Sequence, residues 1–358
     1  MSKGARIFLL VLLIGTSVLL VFAVTSIYYT NSFMEKMAGS DIEDFLSVDL
    51  SGFELIDQES IDLFSSMSKN EQLQMIADEF VGGGPSKDGI PPIDTPLYIS
   101  VNEVGDFLDD DDRVFVLESG DEIRIYPQKI LVWHEIVNDT IAGESVVVTY
   151  CPLAGTVIGF PYDQSGITSS FGTSGKLVNS NLVMYDRETD SLFPQILKTA
   201  VAGSRFGEEL TMFPLDWSTW GRARRAFPDA QVLSEDTGFL RTYEIDPYGS
   251  YKEEGTYYNS GNPFFLTMNS DDRLPAKEVV VGIYGPQGSK AAVVKNSITS
   301  KNGKTIELDG QLFTAQFDED LETVKIYKGE DNSSELADYV DAMWFAWVAY
   351  FPDTDLYQ

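Results

Sequence analysis

Two hydrophobic patterns divide this chain. The first is a nearly unbroken apolar run over residues 7–29, preceded by Lys3 and Arg6 and followed by Glu35, Asp41, Glu43 and Asp44. At about 1.5 Å per residue such a run can cross a bilayer core of about 30 Å. The flanking charges predict an N-terminus inside and the bulk of the chain outside. The rival is a signal segment cleaved after Ala23, which would leave a secreted protein. The second pattern is a series of short β-prone runs. Residues 114–117 and 122–126 flank Ser119-Gly120-Asp121 and predict a hairpin. Further strands are expected over 146–150, 157–160, 182–185 and 230–233.

Helical spacing is scarcer. Leu73, Ile76 and Phe80 predict a short amphipathic helix within residues 70–80. Residues 217–227 (WSTWGRARRAF) read as a helix capped by Asp216 or Ser218 and stopped by Pro228. The apolar, aromatic stretch 342–351 is about half the length of a membrane span, so it is expected as a buried core segment. Residues 243–263, rich in Tyr, Gly, Ser and Asn, read as a long surface loop or rim. Gly82-Gly83-Gly84-Pro85 breaks any preceding helix.

These readings predict an anchor or signal segment at 1–30, an acidic stalk or linker at 31–81, and a domain at 82–358. The expected fold is β-rich α+β with mixed or antiparallel sheets. The hairpin opening at Asp112-Arg113-Val114 is echoed at Lys277-Glu278-Val279, which suggests related halves at 82–240 and 264–358.

Charge narrows the function. With 56 acidic residues against 25 basic ones the net charge is -31, which argues against nucleic-acid binding. The runs Asp109 to Asp112 and Asp318-Glu319-Asp320 offer oxygen ligands but lack the spacing and central glycine of a calcium loop. There is no phosphate-binding glycine loop, no HExxH and no nucleophile-elbow serine, so no cofactor is specified.

Candidate chemistry concentrates in residues 132–156, which contain the chain's one histidine, His134, and one cysteine, Cys151. A single cysteine excludes an intrachain disulfide. His134, with Glu135 beside it, is a candidate base, and Cys151 a candidate nucleophile. The bland alternatives are a buried histidine fixing a turn and an inert packed thiol. Asn138 would share a face with His134 if 133–139 were helical. Asn138-Asp139-Thr140 and Asn332-Ser333-Ser334 both fit a glycosylation sequon. Asn138, Asp139, Thr156, Asn181, Tyr185, Asp186, Arg187 and Gln195 are the candidate binding residues. A soft-metal site would draw on Cys151, His134 and Met184, but a blue-copper centre needs two histidines.

The segments WHEIVNDTIAG, VTYCPLAGT, SGKLVNSNLVMYDRETDSLFPQ and WFAWVAYFPDT, in that order, resemble the domain-of-unknown-function family 3179 of prokaryotes. The resemblance runs from about Gly82 to the C-terminus. It implies an extracytoplasmic or membrane-anchored protein. The family pattern carries a second cysteine, or selenocysteine, where this chain has Ala154, and tryptophan where it has Phe193. The resemblance thus implies a redox-type site of which this chain keeps half. Three expectations follow: a binding or assembly module serving a membrane-protein or cell-envelope partner, a single-cysteine oxidoreductase using Cys151 and His134, and a copper-binding protein.

Overall fold

Strands form where β-branched and aromatic residues cluster, and many are buried on both faces. Asn181–Asp186 is buried at every position, and Glu144–Cys151 at every position after its first two. A sheet with one wet face would leave alternate residues exposed. Continuous burial requires something packed on each side. The computed structural model describes residues 66–161, 170–259, 261–330 and 335–358. In it the strands fall into five small sheets of three to five strands, a five-bladed β-propeller.

The first blade orders Val81–Gly82, Phe171–Val178, Asn181–Asp186 and Leu192–Pro194. The second orders Phe213–Pro214, Thr156–Pro161, Glu144–Cys151 and Ile136–Ile141. The third is Asp216–Thr219, Arg113–Ser119, Glu122–Pro127, Gln231–Leu233 and Tyr98–Ser100. The fourth is Tyr339–Met343, Val279–Tyr284, Lys290–Val294 and Asp355–Tyr357. The fifth is Lys304–Leu308, Gln311–Asp318 and Thr323–Lys328. Pairing is antiparallel except where Gln231–Leu233 joins Glu122–Pro127 and Asp355–Tyr357 joins Lys290–Val294.

This corrects the expected α+β fold of two related halves. The α-helices among the described residues are only seven to ten residues long: Lys69–Asp78, Gln128–His134, Trp220–Ala226 and Trp344–Tyr350. They are too few and too short to form a layer of their own. The echoing hairpins are real, but each is the middle of one blade among five.

Other expectations shift in detail. Residues 216–219 are a strand paired with 113–116, and the helix starts only at Trp220, after Thr219. The first helix lies at Lys69–Asp78 and places Leu73 and Ile76 in the largest core cluster. Every residue of Trp344–Tyr350 is buried, as its apolar composition requires. Its Trp347 ring packs so closely on Gly282 that a Cβ there would lie 2.3 Å from the ring. The loop at 243–263 is exposed or half-buried along most of its length, but it plants Tyr243, Tyr257 and Tyr258 in the interior.

The apolar run at 7–29 and the stalk at 31–65 lie outside the described residues, as does Asn332. Among the described residues no helix is long and apolar enough to cross a membrane.

Polar ties join the blades. Lys325 of the fifth blade meets Asp216 and Glu118 of the third at 2.9 and 2.8 Å, and the Tyr339 hydroxyl of the fourth donates to Asp216. Removing one partner of such a buried group strands the other charge, at about 3–5 kcal/mol. The acidic runs serve structure too. Asp110, Asp111 and Asp112 pair with Arg224, Lys252 and Lys129, and Asp318 caps its own turn.

Candidate functional site

The helix Gln128–His134 ends against the strand Ile136–Ile141, and Glu135 makes the corner. Glu135 adopts a left-handed conformation (φ 58°), uncommon for a residue with a side chain. Its N–H closes the helix on the Leu131 carbonyl, and its own carbonyl accepts from Tyr150 N–H, both at 2.7 Å. The corner thus fixes His134 on one side and the Cys151 strand on the other. Because residue 138 lies in a strand, Asn138 and His134 share no helical face.

His134 is fully buried and both ring nitrogens are taken. Nδ1 lies 2.7 Å from the Pro91 carbonyl, which can only accept, so Nδ1 carries the proton. Nε2 therefore accepts from the Tyr243 hydroxyl at 2.7 Å, and Tyr243 is bonded in turn to Thr237. Burial pulls the imidazole pKa down to about 4; the Pro91 bond opposes this and Arg241 adds to it. This histidine is a neutral brace with no lone pair left over for a metal or a proton.

Cys151 ends its strand and is 1% exposed. Its sulfur accepts from Leu182 N–H at 3.3 Å. Donors from Ala154 and Asn181 also face it, which favours a thiolate, but burial and then the nearby Glu135 charge win, and the pKa is pushed up to about 12. The thiol stays protonated at neutral pH. The turn after it is tight: Gly155 is left-handed (φ 59°), and a Cβ there would press on Met343 at 3.2 Å.

Glu135 is the least settled group. Its carboxyl is 8% exposed and makes no hydrogen bond or ion pair among the described residues. Burial pushes its pKa up to about 8. Tyr248 feels both Glu135 and Cys151, so the long tyrosine loop reaches this spot. The Tyr257 hydroxyl donates to the Leu153 carbonyl in the same turn.

The remaining candidates resolve into cross-braces. Gln195 is fully buried: its Oε1 accepts from Thr156 and Asn181, and its Nε2 donates to both oxygens of Thr149. Asn138 donates to Asp94 and closes two bonds with the Phe171 backbone. The acceptor asparagine of its sequon is therefore buried, although Thr140 is exposed. Asp139 accepts from Tyr98 and Tyr126. Asp186 caps the turn over 188–191. Arg187 pairs with Asp94, and the Tyr185 hydroxyl donates to Asp88. Met184 is buried in the same apolar cluster as Cys151, and both ring nitrogens of His134 are engaged elsewhere, by Pro91 and Tyr243. Among the described residues no group of three or more His, Cys, Asp or Glu side chains is placed to hold a metal ion.

Two cavities open near these elements. Asp94, Tyr98, Arg124, Asn138 and Asp139 line one of about 290 Å³. The other, of about 440 Å³, lies where the third, fourth and fifth blades meet the tyrosine loop. Its wall includes Arg113, Trp217, Tyr251, Tyr258, Lys277 and Lys295. Sequence patterns single out none of these six as site residues. Their traces in the sequence are that Arg113 and Lys277 open the two echoing hairpins and that Tyr251 and Tyr258 lie in the expected loop at 243–263.

No curated protein and no solved structure matches the chain. The family described as protein of unknown function, DUF3179, matches residues 87–339. That stretch carries His134, Glu135, Cys151 and every wall residue named above. A match over most of the chain, on the stretch that builds this site, places the protein in the DUF3179 family.

Proposed function

We propose that this protein is a binding module of the cell envelope, held to the outer face of a membrane by residues 7–29, in which the redox-type site of its relatives survives as structure. The observation that carries this reading is the division between His134 and Cys151. A nucleophile and its base must lie within hydrogen-bond reach of each other. Here the histidine spends both nitrogens on Pro91 and Tyr243, and the thiol is sealed and protonated. Neither group can activate the other. Propeller blades that converge on a cavity suit ligand or partner binding instead.

The donors around the Cys151 sulfur favour a second reading, single-cysteine thiol chemistry with a partner thiol resolving the intermediate. Purified protein assayed with peroxide and with small disulfides separates the two. The binding-module reading expects the same rates for wild type and Cys151→Ser. Turnover that vanishes in Cys151→Ser would replace it with the thiol reading.

A further inference from the structure

In a chain with more than twice as many acidic as basic residues, cations are expected to find carboxylates. The 440 Å³ cavity breaks that expectation. Arg113 donates to the Ser218 carbonyl at 3.3 Å and has no carboxylate within ion-pair distance among the described residues. Its Nε is buried without a hydrogen-bond partner. Lys277 donates to the Tyr257 carbonyl at 2.7 Å and likewise has no carboxylate partner among the described residues. Burial lowers its pKa to about 7, and its Nζ lies 3.0 Å from the centre of the Tyr257 ring. The third cation, Lys295, pairs with Asp341 at 2.7 Å, and the charge of Asp341 also reaches Arg113. A buried cation that shares its counter-charge with a second cation is only partly compensated, and a ligand of opposite sign would complete the compensation.

The same cavity has aromatic walls. The Tyr251 and Tyr258 rings stack at 3.8 Å, and the Trp217 ring meets Tyr251 edge-on at 5.4 Å. Trp217 is 3% exposed and its indole N–H has no acceptor. Arg113 sits 5.3 Å from the Trp217 ring centre. Glu278 and Glu322 also line the cavity and would turn away ligands carrying charge over their whole surface. A fixed guanidinium, an ammonium and flat apolar walls together match one charged head on an uncharged body.

We infer that this cavity binds a small organic anion, its carboxylate or phosphate head between Arg113 and Lys277 and its ring or chain against Trp217, Tyr251 and Tyr258. This rests on the binding-module reading and names the ligand class. It needs no chemistry at Cys151.

The test is calorimetric titration of the full chain with sodium glucuronate, glucose 1-phosphate and benzoate, with inorganic phosphate and glucose as controls. At least one organic anion should bind at a single site, at least about tenfold more tightly than inorganic phosphate or glucose, as charge and stacking together require. The two acids and the sugar phosphate separate a carboxylate source from a phosphate source. Lys277→Met should weaken binding about tenfold or more while leaving the far-ultraviolet circular dichroism unchanged. Arg113→Gln should do the same. If Arg113→Gln does not fold, Lys277→Met and Trp217→Phe decide the matter. Absence of saturable binding by any of these anions below about 10 mM, equal binding of glucose, or binding untouched by Lys277→Met overturns the inference. Cys151→Ser is titrated in parallel. Lost anion binding with an inert thiol removes the cavity's ligand and spares the module reading, whereas Cys151-dependent turnover removes the module reading.

Discussion

The Tyr243 hydroxyl donates to Nε2 of His134 at 2.7 Å, across 109 residues of chain. That bond fixes the tautomer and withdraws the imidazole from chemistry. Because the chain has one histidine, its titration can be read without assignment. A histidine held neutral by burial, with its pKa lowered from 6.5 to about 4, gives stability that is complete above about 6.5 and is lost as pH falls through about 4. Imidazole proton resonances should therefore titrate near pH 4. Tyr243→Phe, which leaves Nε2 without a donor, should cost about 1–3 kcal/mol at neutral pH by denaturant unfolding. A titration near the ordinary 6.5 would mean that the brace does not form.

Glu135 predicts the opposite slope. Its folded pKa is raised from 4.5 to about 8, so the favourable neutral form is complete below about 4.5 and its contribution is lost as pH rises through about 8. Glu135→Gln should match wild type near pH 4.5 and be more stable by a few kcal/mol near pH 9, gaining at most about 1.4 kcal/mol for each pH unit crossed between the two pKa values. Thermal unfolding of both proteins across that range is the check. Parallel curves would place the carboxyl in water.

Gln195 tests whether the conspicuous polar residues are structure or binding surface. It satisfies Thr149, Thr156 and Asn181 at once. Gln195→Leu should lower stability by about 2–4 kcal/mol, because buried partners lose their bonds. It should leave anion binding at the Arg113 cavity unchanged in protein that is still folded. A variant of wild-type stability would move Gln195 from brace to surface.

The local strands could be read from the pattern of residues but the fold class could not, and the reasons are specific. The hairpin at 113–127 was legible because both strands and their turn are adjacent. The propeller was not, because blades are completed by remote pieces: Asp216–Thr219 on Arg113–Ser119, Val81–Gly82 on Phe171–Val178, Asp355–Tyr357 on Lys290–Val294. Blades of three, four and five strands leave no regular period to detect. Residues 217–219 resembled a helix start but were drawn into a sheet, where Trp217 packs on Phe115 at 5.6 Å. The tyrosine loop looked wet from its glycines and serines. Its rings are nevertheless buried, with hydroxyls satisfied by Gln128, Tyr150, Asp246 and the Leu153 carbonyl. At the site, composition pointed to residues 132–156 but could not show that Pro91 and Tyr243 would claim His134.

Ala154 offers a gain-of-function prediction. Its amide faces the Cys151 sulfur, and the turn joins Cys151 to its partner Thr156. Ala154→Cys restores the second thiol of the family pattern at a fully buried position, at a packing cost of about 1–3 kcal/mol. Refolded from denaturant under mild oxidant, the variant should lose both free thiols within one chain, by mass and thiol titration, while wild type keeps its one. Two persistent thiols would show that the turn holds the sulfurs apart.

The central claim is that Cys151 is a sealed structural thiol. The rate of its alkylation by iodoacetamide in the native protein, at about pH 7.5 and compared with the unfolded protein, tests this most directly. Burial and a pKa pushed up to about 12 predict labelling at least about a hundredfold slower in the native state, rising only as the protein opens. Native labelling as fast as in the unfolded chain would contradict the account and return Cys151 to the role of a working nucleophile.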